Sequence, residues 1–139
     1  MEIWSLVYER PDVAKTGFGR AVWCLSKVFS EHGAKTHIIY NMLENGKAVE
    51  ENIGNITLHG ILTSGWFPSR RINFYKSAFQ IINHHYDENK ANVFFLHGAF
   101  ALPLSKPLQK LGGLIAYHTF GSLINELERS FNELMRSGE

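Results

Sequence analysis

The sequence predicts a three-layer α/β domain of Rossmann-like type, with a mainly parallel sheet of about five strands. Three observations predict it. Short apolar runs alternate with segments of helical period along nearly the whole chain. The length, 139 residues, suits one domain with a sizeable core. No repeat, low-complexity tract or Pro/Gly/Ser linker divides the chain, so residues 1–139 read as a single domain.

Residues 3–8 form a nearly continuous apolar run, as in a strand buried on both faces. Pro11, Gly17 and Gly19 mark residues 9–19 as a loop. Ala21, Val22, Leu25, Val28 and Phe29 then keep the spacing of an amphipathic helix, with Gly33 suited to the position just past its end. Residues 36–40 are a second strand. The polar stretch 41–55, with Gly46 and Gly54, reads as a loop or a weak hairpin. Residues 56–62 are a third strand, and Gly65 and Pro68 break the chain after it. Ile72, Tyr75, Phe79, Ile82 and Tyr86 define a second helix. A fourth strand at 92–96 follows. Leu104, Leu108 and Leu111 mark a short helix with Pro103 near its start and Gly112 past its end. Residues 114–117 are a fifth strand. Ser122 is a candidate N-cap for a last helix carrying Leu123, Leu127, Phe131 and Leu134.

The chain is 45% hydrophobic and 19% charged, which excludes a largely disordered or collagen-like protein. Lys plus Arg number 14 and Asp plus Glu 13, a net charge of +1. That balance gives no electrostatic reason to expect nucleic acid or an anionic membrane as partner. No apolar run approaches the ~18–20 residues of a membrane span, and Met1-Glu2-Ile3-Trp4 lacks the basic start of a signal peptide. The expectation is a cytoplasmic chain. Cys24 is the single cysteine, so no intramolecular disulfide forms. Its place beside the first apolar stripe predicts a buried, inert thiol.

Ligands of such sheets sit at the carboxyl ends of the strands, which selects residues 9–19, 96–101 and 117–122. The first loop carries Thr16-Gly17-Phe18-Gly19-Arg20 directly before a helix. Glycines let the backbone approach a ligand closely, and a helix start favours an anion such as phosphate. Arg20 can add a charge-assisted contact. The same glycines also suit a tight turn that binds nothing, and the residues alone leave both readings open. Val22 stands where a dinucleotide fingerprint needs its third glycine, and no Gly-Lys-Ser/Thr follows. That disfavours a Rossmann reductase or a tightly held NAD or ATP.

His97 ends the fourth strand and His118 the fifth, so two imidazoles fall on the same rim. Glu9 and Asp12 lie there too, either holding a hydroxyl or acting as a base, or simply as solvated loop charges. His84 and His85 are adjacent and point to different sides of a helix, while His97 and His118 lack Cys or carboxylates at ligand spacing. No metal site and no cofactor are expected. No Gly-x-Ser-x-Gly elbow supports a hydrolase triad.

Four pieces in order resemble the N-terminal domain of retaining GT-B glycosyltransferases of the family-four type. They are Thr16-Gly17-Phe18-Gly19-Arg20, Glu31-His32-Gly33-Ala34-Lys35-Thr36-His37-Ile38-Ile39, Asn92-Val93-Phe94-Phe95-Leu96-His97-Gly98 and Leu114-Ile115-Ala116-Tyr117-His118-Thr119. Ala34 departs from the second pattern, and Asn92 stands where the third usually has Asp. The resemblance implies a nucleotide-sugar donor and a metal-independent transfer. It implies that His118 contacts the donor sugar as the catalytic residue. Gly17, Phe18, Gly19, Arg20 and Thr119 would lie on the donor-phosphate side, and His97, Glu9 and Asp12 on the acceptor side.

The resemblance also implies a C-terminal nucleotide-binding domain, of which this sequence holds nothing. The expectation is therefore an acceptor-side half, inactive alone, that works with a partner subunit or joined domain. A stand-alone α/β binding module without catalysis, holding an anionic small molecule at Gly17–Arg20 or dimerising through the surface a second domain would cover, is the competing reading.

Overall fold

The computed structural model describes residues 1–14, 16–42, 49–63, 69–118, 132–133 and 135–136, apart from the side chains of Phe18, Ala99 and Phe100. Within them lie strands β1 (Glu2–Val7), β2 (Lys35–Met42), β3 (Val49–Ile53), β4 (Ile56–Leu62), β5 (Asn92–His97) and β6 (Leu114–His118). The helices are α1 (Gly17–Glu31), α2 (Ser69–His85) and α3 (Ser105–Leu111), the last preceded by a 3-10 helix at Ala99–Leu104. The predicted last helix, with Ser122 at its start, lies outside the described residues.

The strands form one sheet in the order β3-β4-β2-β1-β5-β6. All neighbours run parallel except β3, which pairs antiparallel with β4. β1 sits in the middle, and every one of its residues is buried. The chain moves from β1 to β2 and β4 on one side, then returns to place β5 and β6 on the other. The order therefore reverses at β1, which puts a crevice at the carboxyl ends of β1 and β5.

Side chains alternate between two cores. On one face Trp4, Leu6, Ile39, Ile61, Phe94 and Leu96 meet Phe74, Ala78 and Ile82 of α2 and Leu108 of α3. On the other, Val7, Ile38, Tyr40, Ile56 and Leu58 meet Val22 of α1. Each fully buried aliphatic or aromatic side chain contributes ~1.5–3 kcal/mol, so the sheet is held from both sides. Among the described residues no helix is long and apolar enough to cross a membrane.

The structure corrects several expectations. The sheet has six described strands, because 49–53 is an edge strand turning into β4 at Gly54, whose φ is +60°. Its polar character follows from exposure, since Glu50, Glu51, Asn52 and Ile53 all face solvent. α1 starts at Gly17 rather than after Gly19, with Thr16 as N-cap accepting from the Gly19 N–H. Its buried face is Gly19, Val22 and Ser26, so Val28 is 47% exposed and Cys24 is exposed rather than buried. α2 is turned similarly, burying Phe74, Ala78 and Ile82 while Ile72 faces out. Gly33 and Gly112 take positive φ where α1 and α3 end, as expected of helix terminators.

Candidate functional site

The rim at the carboxyl ends of the strands receives the start of α1 and the ends of β5 and β6. Phe29 of α1 packs on Phe95, with ring centroids 5.7 Å apart, so Phe95 points to the α1 face. His97 follows two residues later on the same face and stacks on Phe95 at 5.3 Å. His118 is its register partner. The two rings stand perpendicular, and the His97 Nδ1 lies 3.0 Å from the His118 Nδ1. The Gly98 N–H also donates to the His118 carbonyl, which locks the two strand ends together.

The pair differs in burial. His97 is fully buried and His118 half-buried. Burial first, and then the neighbouring His118, push the His97 imidazole down to about 3. His97 is therefore neutral at physiological pH. A contact between two Nδ1 atoms holds one proton, so one ring donates and the other accepts.

The two glycines at the start of α1 differ. A Cβ on Gly17 would meet nothing within 4 Å. A Cβ on Gly19 would lie 2.3 Å from the Ala14 Cβ and 2.9 Å from the Glu9 Oε1. Gly19 is therefore a glycine because its own loop closes against it, while Gly17 leaves open space. Glu9 accepts a hydrogen bond from the Thr16 hydroxyl and thus sits at the helix start, where the peptide dipoles favour a negative group. Arg20 is exposed and its Nε donates to the Ala14 carbonyl at 3.4 Å.

Asp12 is not an open carboxylate. Arg10 grips it with two bonds, Nε to Oδ1 at 2.7 Å and a second terminal nitrogen to Oδ2 at 2.9 Å. That grip holds the Asp12 carboxyl below its usual range. The same Arg10 reaches Glu51 at 2.7 Å, tying the loop to the edge strand β3. Thr119 lies outside the described residues, as does the side chain of Phe18.

A second polar cluster, which the sequence reading missed, lies at the opposite edge of the sheet. His37 of β2 stacks on Trp4 at 3.9 Å and 9°. Its Nδ1 lies 3.1 Å from the His59 Nε2. His85, at the end of α2, comes within 5.3 Å of the His59 ring, and Glu50 lies opposite His59 in the register of β3 and β4. Burial depresses His37 to about 3 and His59 to about 4, although Glu50 works against the shift of His59. The available signal was a histidine inside each of two apolar strands, on the face that α2 covers. A cavity of about 390 Å³ opens beside the cluster, between Lys35, His37, Asn55, Thr57, His59 and His85.

No protein-family model and no curated protein sequence matches the chain. Among solved structures it is similar to trehalose-6-phosphate synthase from E. coli bound with UDP-2-fluoro glucose, at a TM-score of 0.60 and 14% identity. That match covers 84% of this chain and 32% of the other. It is also similar to OtsA in its apo form, at a TM-score of 0.56 and 12% identity, covering 85% of this chain and 33% of that one. The chain thus spans about a third of the length of these neighbours. They have the GT-B fold but belong to a family other than the family-four type, so that finer assignment gains nothing from them. The chain has the fold of one Rossmann-like half of a GT-B glycosyltransferase.

Proposed function

We propose that the chain is the acceptor-side half of a retaining GT-B glycosyltransferase, moving a sugar from a nucleotide-sugar donor when joined to a donor-binding half. The observation that carries this reading is the His97–His118 pair at the crevice where the strand order reverses. A neighbour of the same fold holds UDP-2-fluoro glucose, which supports the donor class. On this reading His118 is the catalytic residue, hydrogen-bonding the donor sugar as the phosphate leaves. The contact with His97 uses Nδ1 of both rings and so fixes the orientation of the His118 ring. His97 is then a positioning residue.

Gly17 offers the room for a donor phosphate, and Phe18, Arg20 and Thr119 are the further residues proposed to contact it. Gly19 shapes the loop rather than the ligand. Glu9 and Asp12 shape the acceptor side through their bonds to Thr16 and Arg10. The reaction as proposed needs no metal at this rim, and the cytoplasm remains the proposed location.

The test is reconstitution. The chain is mixed with, or fused to, the donor-binding half of a GT-B glycosyltransferase and assayed with common nucleotide-sugars. Transfer that appears only in the joined protein, and is lost in His118→Ala, supports the proposal. Turnover by the 139-residue chain alone would overturn its assignment as a half-enzyme. Full activity of His118→Ala in the joined protein would remove His118 from the reaction.

A further inference from the structure

The second histidine cluster lies away from the rim and has no part in the proposed transfer. Three of its groups come from three different elements: Glu50 from β3, His59 from β4 and His85 from α2. One ligand atom from each lies within 4.8 Å of the others. The His59 Nδ1 is 3.7 Å from the Glu50 Oε2, and the His85 Nε2 is 3.9 Å from the same oxygen. These separations are too long for hydrogen bonds. The three groups face one another across a gap that none of them closes.

We propose that Glu50, His59 and His85 form a binding site for a divalent zinc-type cation. Two imidazoles and a carboxylate are a borderline donor set that zinc and cobalt accept in tetrahedral geometry. Donors ~2.0–2.1 Å from a tetrahedral centre lie roughly 3.3 Å apart. Each of the two measured pairs must therefore close by only a few tenths of an ångström. The Glu50 and His85 side chains are 57% and 33% exposed, so both can move and the ion can enter. Solvent in the adjoining cavity supplies the fourth ligand.

His37 completes the arrangement. When the His59 Nδ1 holds the ion, its Nε2 carries the proton and donates to the His37 Nδ1 at 3.1 Å. An outer partner of this kind fixes the tautomer and the ring plane of a metal-bound histidine. Trp4 stacked on His37 fixes the outer partner in turn. The His37 Nε2 is buried without a hydrogen-bond partner among the described residues, and His37 lines the cavity. With its Nδ1 accepting from His59, this Nε2 is an N–H donor, and a buried donor of that kind calls for an unseen water in the cavity. The bound ion would pin the edge hairpin to the end of α2.

The experiment uses chelator-stripped chain titrated with Zn²⁺ by calorimetry and with Co²⁺ by visible absorption. The expected result is one ion per chain, with the intense d–d bands of a four-coordinate cobalt and a rise in Tm. Glu50→Gln and His85→Gln should each weaken binding roughly tenfold or more, the scale on which even outer partners act. Both positions are solvent-accessible, so the metal-free variants should keep the far-UV spectrum and unfolding midpoint of the parent. His84→Gln, beside the site, should bind as the parent does. No saturable binding by the parent overturns the proposal. Unchanged binding in both Glu50→Gln and His85→Gln overturns it too, as does loss in His84→Gln alone.

Discussion

His97 and His118 are register partners on parallel strands, and their Nδ1 atoms lie 3.0 Å apart. The contact makes a deeply buried ring the support of a half-buried one. Phe95 holds His97 from below by stacking, and the backbone bond from Gly98 to the His118 carbonyl fixes the spacing of the strand ends. The orientation of His118 is therefore decided by strand pairing and core packing rather than by a mobile loop.

Substitutions should separate the two roles. His118→Ala removes a half-buried ring, so its cost in stability should be under about 1 kcal/mol, while transfer by the joined enzyme should fall by ~10²-fold or more. His97→Ala empties a site that is 1% exposed, and should cost ~2–4 kcal/mol in urea unfolding. Comparable losses of stability in both variants would make His118 a structural residue.

The depressed His97 gives a pH dependence of stability. The unfolded chain binds a proton as pH falls through the ordinary histidine value of 6.5, whereas the folded chain refuses it until about 3. Between these values the unfolded state holds more protons, so stability falls as pH falls. It is complete above 6.5. One such group contributes a slope of at most about 1.4 kcal/mol per pH unit. His97→Gln should flatten the stability profile by up to that amount between 6.5 and 3. Parallel profiles for parent and variant would show that His97 protonates freely in the fold.

The two glycines at the start of α1 should part company. Gly19→Ala places a methyl 2.3 Å from the Ala14 Cβ, and the loop or helix must shift. The expected cost is ~1–3 kcal/mol, typical of overpacking. Gly17→Ala meets no atom and gains helix propensity, so stability should hold or rise by a few tenths of a kcal/mol. If Gly17 lies against a donor phosphate, the same variant should raise KM for the donor in the joined enzyme. An unchanged KM would confine Gly17 to the turn.

The parallel character of the sheet was legible because its central strands are buried on both faces and are mostly apolar, with helical segments between them. β3 was legible only as one of two alternatives, a weak hairpin beside a loop, because an edge strand facing solvent has no apolar period to read. The faces of α1 and α2 were misjudged by a residue or two. Ser26, a polar residue, lies on the buried face of α1, and the apolar Val28 does not. At the rim, chain order alone placed His97 and His118 on neighbouring strands. Contact between them depends on register, which the sequence does not print. The cluster of Glu50, His59 and His85 was invisible for the same reason, with its members brought together by an edge hairpin and the last turn of a helix.

Asn92 shows how one departure from a family pattern is explained by local bonding. It opens β5, where the resembling family usually has Asp, and it is buried. Its Oδ1 accepts from the Trp4 indole at 3.2 Å. Its Nδ2 donates to the carbonyls of Asp87 and Lys90 at 3.0 and 2.9 Å. An aspartate keeps the first bond and loses both others, setting a carboxylate oxygen against two carbonyl oxygens. Two unmet buried acceptors and a desolvated charge should cost ~2–4 kcal/mol at neutral pH. Repulsion and burial both raise the carboxyl's affinity for a proton, and the protonated form regains one donor. The deficit of Asn92→Asp relative to the parent should therefore shrink as the pH is lowered toward 4. Urea unfolding of both proteins across that range measures it. A deficit that is absent at neutral pH, or that grows on acidification, would mean that the turn before β5 rearranges and that the amide is not what holds it.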